Sequence, residues 1–420
     1  MRFPRIYYGW VVLAVGFAIM LLGYAVRNTF TVFYPVIVED FGWARGNTAI
    51  MYSLTMLSYG IVAPVAGGLI DKFNPKFVIA IGGLIVGGSI ALCGLATQAW
   101  HFYILYGVVV AIGLSLIGFT PLSAIITHWF PHRKASVFGL LGAGFGISLV
   151  SAPLFQSLIS QYGWRLSYGI IGAVAVLMIL PLSLGFMRRS PDQYAPAADK
   201  PAGGDRPEPT LQQDQPGASA RDWTLRTALR TNTFRVFLII SFCNMGIAQQ
   251  IIIAHQVYLL QDMGYGPMVA ATIFGVYGVS FAAGNLSSGL SDHVGRAQVF
   301  APGTLLATAA VLMMLLVTDR EAGMLLPVVF AIASGFGMGI APPTCFAAVA
   351  DRFHGRHYGA IQGTMILAGS LGGALGPWLG GFLHDISGSY QSTLIVVEAF
   401  LVASAILMWH LRPRKGAVTV

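Results

Sequence analysis

Three ionisable side chains stand well inside long apolar runs: Arg27, His255 and Glu398. On insertion scales each such group costs about 2.5–3.5 kcal/mol, so each calls for a partner, a ligand or a structural reason. Arg27 does not stand alone. Tyr24, Arg27, Asn28, Thr31 and Tyr34 recur at helical spacing and draw a polar stripe along one helix face. A planar guanidinium on that stripe can grip a carboxylate through two parallel hydrogen bonds, so the chemistry it offers is recognition of a small anion. The other reading is an anchor, because Arg27 lies about eighteen residues into its run, ~27 Å at 1.5 Å per residue, within snorkelling reach of the headgroups. His255 shares a face with Ser241 and Tyr258. It is either a satisfied hydrogen-bonder or a group that serves a site or proton traffic. Glu398, in the middle of the last run, reads as a structural carboxyl.

The elements that position these groups are apolar segments of about 9–37, 46–70, 77–97, 101–129, 136–161 and 166–187. A second set covers about 236–260, 268–290, 297–318, 322–350, 357–383 and 390–411. Of the 420 residues, 56% are hydrophobic and 10% charged, with mean hydropathy +0.72. A soluble domain carries roughly 25% charged residues, so the surface here is matched to lipid. The net charge of +8 excludes nothing by itself, but its placement excludes a nucleic-acid patch. Of 24 Lys and Arg, 20 fall in joints assigned to the cytoplasm, 3 in the opposite joints and one, Arg27, in a span. Both termini are therefore expected in the cytoplasm. Residues 188–235 form one long polar joint, rich in Pro, Gly, Asp and Gln, expected to be a cytoplasmic linker. Its last part, Asp222 to Arg235, sets Trp223, Leu225 and Leu229 among arginines and predicts a short helix on the inner membrane face. Cys93, Cys243 and Cys345 sit in apolar stretches and imply neither disulfide nor metal. The first run is too long for a cleavable leader.

The two sets of spans repeat one another. Asp71 of GGLIDKFNPK and Asp292 of SGLSDHVGRA stand 221 residues apart. VEDFGW at Val38 and LQDMGY at Leu260 are offset by 222, WFPHRK at Trp129 and RFHGRH at Arg352 by 223. The same offset pairs Arg27 and Asn28 with Gln249 and Gln250, so both halves aim polar groups at one depth. A six-plus-six parallel repeat sets a pseudo-two-fold axis along the membrane normal, with a solute site between the halves.

Gly67-xxx-Asp71-Lys72-x-Asn74-Pro75-Lys76 resembles the major facilitator signature G-xxx-D-[RK]-x-G-R-[RK], with Asn and Pro replacing its later Gly and Arg. Asp292 with Gly295-Arg296 is a weaker second copy. YYGWVV at the start, then RNTFTVFYP and EDFGWARG, is similar to the monocarboxylate/oxalate–formate branch of that superfamily. The resemblance implies an all-α membrane protein of twelve transmembrane helices: a six-helix bundle over 1–187, the linker 188–235 and a second bundle over 236–420. It implies that Asp71 and Asp292 brace a cytoplasmic gate with Lys72, Arg296, Arg133 and Arg356 as basic partners, although those bases also serve as topology signals. Gly372-xxx-Gly376-Pro377-xx-Gly380-Gly381 spells a motif that antiporters of this superfamily carry in span five; in span eleven it reads as a kinked, closely packed helix. Lactate-type members carry an Asp and an Arg in span eight. Here Met268 to Leu290 has no charged residue, and Asn285 is the polar residue nearest that arginine position. A bound carboxylate must then take its counter-charge from Arg27.

No paired carboxylates, nucleophile elbow, metal cluster or Walker loop appears, so neither an enzyme, a cofactor nor ATP-driven transport is expected. The leading expectation is a monomeric secondary transporter in a bacterial inner membrane. It would move a mono- or dicarboxylate by alternating access, with proton or counter-anion coupling. Thr120 of span four joins Tyr24, Arg27, Asn28, Thr31, Gln249, Gln250, His255 and Asn285 as candidate solute contacts. An exporter of neutral or hydrophobic compounds and a non-transporting membrane receptor are the alternatives.

Overall fold

Backbone groups in lipid must be satisfied within their own segment, which leaves helices as the only use for such apolar runs. The computed structural model describes residues 7–130, 134–188, 223–315, 323–353 and 358–412, and these residues are helical with short joints. The linker expected over 188–235 lies outside them except for its two ends. Ten helical runs are long and apolar enough to cross a membrane. One of them, Leu140–Phe186, is two helices divided at Gly163, whose φ of 72° and ψ of 161° end one helix and start the next. Arg45–Lys72 completes the twelve.

The first six are α1 (Tyr8–Phe41), α2 (Arg45–Lys72), α3 (Pro75–Cys93), α4 (99–129), α5 (134–162) and α6 (164–186). The second six are α7 (Asn232–Asp262), α8 (Pro267–Val294), α9 (Arg296–Leu315), α10 (Leu325–Arg352), α11 (Tyr358–Ser387) and α12 (Gln391–His410). α4 is interrupted at Gly118, where the backbone turns extended. Local signals set several ends. Asn74 caps α3 by accepting from the Lys76 N–H, with Pro75 in the first turn, and α1 stops at Gly42 with φ of 64°. The helix expected near Trp223 is six residues long, Leu225–Arg230, with a Thr224–Thr227 capping box. It packs by the buried Ala228, and Trp223 meets Phe353 edge-on at 5.0 Å.

Two faces follow from this path. The terminal face carries the first and last described residues, where Tyr7 Oη donates to Trp129 O at 2.7 Å and Arg352 donates to Leu411 O. The far face carries the α1–α2, α5–α6, α7–α8 and α11–α12 joints. Glycines set how closely helices cross within each half. Gly82 of α3 sits on Gly113 of α4, and Gly303 of α9 sits on Gly337 of α10, the same crossing repeated. Large apolar side chains such as Ile61, Leu154, Leu177 and Ile395 remain exposed, as a lipid-facing belt does.

The halves meet along two seams related by the pseudo-symmetry, α2 against α11 and α5 against α8. At the second, a Cβ on Gly146 would lie 2.7 Å from the Ala282 nitrogen and 2.8 Å from the Gly278 oxygen. At the first, Gly373 faces Met56 and Gly60 faces Ser370. The space between the seams is where α1 and α7 bring their polar groups.

Candidate functional site

α1 carries Arg27 into the middle of the molecule, where the residue is 6% exposed. The guanidinium carbon lies 5.3 Å from the Tyr24 ring centre, 5.9 Å from that of Tyr52 and 5.1 Å from that of Phe145. Arg27 takes part in none of the ion pairs found among the described residues, and its Nε–H has no acceptor. The positive charge is therefore offset by ring faces, each worth about 0.5–2 kcal/mol, rather than by a carboxylate. A buried cation with a spare donor and no counter-ion has the chemistry of an anion site.

The neighbours come from both halves. Phe145 of α5 meets Tyr24 and, across the seam, Phe281 of α8, both at 5.4 Å. Tyr52 of α2 donates to Gln250 Oε1 of α7 at 3.0 Å. Asn28 Nδ2 donates to Ser148 Oγ at 2.9 Å, and its Oδ1 has no partner. Gln249 is buried, and Thr120, two residues past the α4 break, is half-buried. Asn285 donates to Phe281 O of its own helix at 3.3 Å. Thr31 is used differently: it donates to the Ile253 main-chain oxygen of α7 at 2.8 Å and so closes the gap between α1 and α7. His255 is fully engaged as well. Its Nε2 lies 2.7 Å from Pro377 O, which can only accept, so Nε2 carries the proton and Nδ1 accepts from Tyr390 Oη at 3.0 Å. That histidine joins α7, α11 and α12. Glu398 stands on α12, which packs on α7, α9 and α11, and its Oε2 has no partner.

A family model described as Major Facilitator Superfamily matches residues 15–327 and 286–420. The chain belongs to that superfamily. Monocarboxylate transporter 13 of Bos taurus is 29% identical over 404 residues, spanning 95% of this chain and 88% of the relative. An uncharacterised transporter of the superfamily from Bacillus subtilis, YcxA, is 24% identical over 407 residues, spanning 95% of this chain and 94% of that one. A solved bacterial homologue of the human lysosomal transporter Spinster, in an inward-facing unoccupied form, superposes with a TM-score of 0.74 at 19% identity over 97% of both chains. The protein is thus a multi-pass membrane transporter that resembles the monocarboxylate branch.

On the far face of this transporter, a cluster at the helix ends holds the halves together. Arg45 at the start of α2 makes a two-pronged pair with Asp262 at the end of α7, at 2.5 and 3.0 Å, and lies 3.6 Å over the Tyr258 ring. The main-chain N–H groups of Arg45 and Gly46 donate to the Asp385 carboxylate of α11 at 3.0 and 2.7 Å, which seats an anion from one half on a helix N-terminus of the other. His384 Nε2 is 3.4 Å from Asp262 Oδ2. Tyr34 donates to Arg45 O at 2.8 Å, and Ser53 Oγ accepts from the Trp378 N–H at 3.2 Å. Asp262 lies just beyond the apolar run 236–260.

The signature residues lie at the terminal face. Lys72 is exposed. Asp292 pairs with Arg296, whose fork also reaches Asp351 at 2.8 and 3.3 Å and Ser291 at 2.7 Å, so this network ties α8, α9 and α10 within one half. Asp71 sits in the last turn of α2, and its side chain lies outside the described residues, as do Arg133 and Arg356. The far-face cluster was passed over in the sequence because its charges stand at span edges, where they read as topology signals. The one hint was the VEDFGW–LQDMGY repeat, whose second copy contains Asp262.

Proposed function

We propose that this transporter is a carrier of small organic anions, carboxylates above all, with the anion bound at Arg27. The observation that carries the reading is a buried guanidinium with a free Nε–H and no carboxylate partner among the described residues. A carboxylate entering between the halves supplies the missing counter-charge and accepts from the fork, while Tyr24, Tyr52, Phe145 and Phe281 wall its apolar part. Similarity to monocarboxylate transporters supports the same class.

The carrier works by alternating access. The two bundles, 1–187 and 236–420, rock about the α2–α11 and α5–α8 seams, and the linker 188–235 joins them in the cytoplasm. With both termini inside a bacterial inner membrane, the far face is the outer one. The form described here is then closed to the outside by Arg45, Asp262, Asp385 and Thr31. Gating residues of the inner side are Asp71 and Lys72, with Arg133 and Arg356, and the Asp292–Arg296 pair.

The test is a thermal-shift screen of the purified chain against mono- and dicarboxylates, repeated on Arg27→Gln. Carboxylates that stabilise the wild type and not the variant support the reading. The aromatic walls favour one second reading, an exporter of neutral apolar compounds; stabilisation by such compounds alone, equal in both proteins, would establish it instead.

A further inference from the structure

His384 stands beside a carboxylate for which it has a competitor. Asp262 accepts from Arg45 at 2.5 and 3.0 Å, and its Oδ2 is 3.4 Å from His384 Nε2. The two contacts differ in kind. His384 and Asp262 both belong to the second half, on α11 and α7, whereas Arg45 comes from the first. A motion that parts the halves at this face takes Arg45 away and leaves His384 where it was. It also removes the Arg45 and Gly46 N–H groups from Asp385, the chain neighbour of His384. Two carboxylates are then left without the partners that the first half supplied, next to one side chain that can take up a positive charge.

We infer that His384 is a pH-operated latch of the far face: it takes a proton from far-side water as Arg45 leaves Asp262, and gives it back to the same side when Arg45 returns. The inference rests on the alternating-access reading. The step is a plain acid–base exchange. Water on the far side supplies the proton, the imidazolium becomes the counter-ion of Asp262, and closure returns the proton to far-side water as the guanidinium replaces it, so the exchange sets the opening of this face and carries no proton across. Histidine is the side chain whose charge changes between pH 5 and 8, which suits it to this exchange better than either carboxylate alone.

The surroundings point the same way. Around His384 stand Asp262 and His255 of α7, Asp385 of its own helix and Tyr390 at the N-cap of α12, whose ring is 4.7 Å away; Arg45 of α2 reaches the same Asp262 and covers the Tyr258 ring, and Glu39 of α1 lies at the same end. Within that set Arg45 is the fixed positive charge, and it belongs to the other half. Opening the face removes its repulsion and frees the carboxylates, so the open form binds the proton more tightly. By linkage the proton favours the open form.

The conformation can be read without knowing the solute. The native cysteines Cys93, Cys243 and Cys345 are buried, so spin labels can be placed at Gln161→Cys and Gln391→Cys, exposed far-face positions in different halves. Electron–electron distance distributions are recorded for the full chain in nanodiscs at about pH 5.5 and about pH 8, either side of the histidine range. The wild type should gain a longer-distance population at the lower pH, by at least about threefold, corresponding to ~0.65 kcal/mol on the scale of 1.4 kcal/mol per tenfold. His384→Gln, which keeps a donor for Asp262, should lose that response, and Arg45→Gln should populate the longer distance at both pH values. A wild type with two populations that ignore pH, or a His384→Gln variant that keeps the full response, overturns the proton site and leaves alternating access standing. A single distance in every variant at every pH removes both.

Discussion

Replacing Arg27 by glutamine is the perturbation that most directly tests the anion site. Three ring centres lie 5.1 to 5.9 Å from its guanidinium carbon, and no carboxylate pairs with it. Rings at about 0.5–2 kcal/mol each come close to offsetting an insertion cost of about 2.5–3.5 kcal/mol. The apo protein thus gains little net stability from this charge, and Arg27→Gln should fold with an unfolding temperature no lower than the wild type. Binding is different. A hydrogen bond to a charged group contributes about 1.5–3 kcal/mol, and 1.4 kcal/mol is a factor of ten, so the variant should bind a carboxylate about ten to a hundred times more weakly. Arg27→Lys should recover part of this, because an ammonium keeps the charge and loses the two-pronged geometry. Titration calorimetry with the best carboxylate from the thermal-shift screen gives the three affinities. A well-folded Arg27→Gln protein with wild-type affinity would refute the reasoning and leave Arg27 as an anchor held by its rings.

Other outcomes follow from the seams and the faces. Gly146→Val puts a side chain where a Cβ alone would lie 2.7 Å from the Ala282 nitrogen, so it should cost about 1–3 kcal/mol of stability by overpacking and abolish flux; a wild-type melting curve would show that the seam yields. Asp71→Asn should lower flux of the identified anion far more than its affinity, because the lost interaction belongs to one conformation, and full turnover would reduce that loop to a topology signal. A thiol introduced by Ala202→Cys should react with an impermeant reagent only after the inner membrane is permeabilised. Labelling in intact cells would reverse the orientation.

The fold was legible because its signals are repeated and local. Twelve apolar runs of the right length, a one-sided distribution of Lys and Arg and three motif pairs at nearly one offset all point to two six-helix halves. Helix edges were less so. α1 runs from Tyr8 to Phe41, past the apolar segment 9–37, because the ladder continues through Val38, Glu39 and Asp40 until Gly42 turns left-handed. The site was legible only in part. Spacing placed Arg27 on a polar stripe, but not the aromatic box around it, since Tyr52 and Phe145 arrive from other helices. It also placed Thr31 on that stripe without saying that its hydroxyl faces the α7 backbone. The contact of Arg45 with Asp262 joins residues 217 apart in the chain, and no periodicity reports such a pair.

The repeat explains why that pair exists on one side only. Asp40 and Asp262 are equivalent in the two halves, and each reaches the last joint of its own half: Asp40 accepts from Trp164 at 3.2 Å and Arg165 at 3.1 Å, Asp262 meets His384 at 3.4 Å. The partners differ. Asp40 takes two donors, the Trp164 indole and the Arg165 guanidinium, from within its own half. His384 offers Asp262 one nitrogen at 3.4 Å, which leaves the carboxylate with acceptor capacity to spare. Arg45 fills it from across the seam, whereas the position equivalent to Arg45 in the second half is Pro267, which has no charge to offer Asp40 in return. Exchange of an arginine for a histidine, at one of two otherwise equivalent carboxylates, goes with a contact between halves that, on the alternating-access reading proposed above, is made and released.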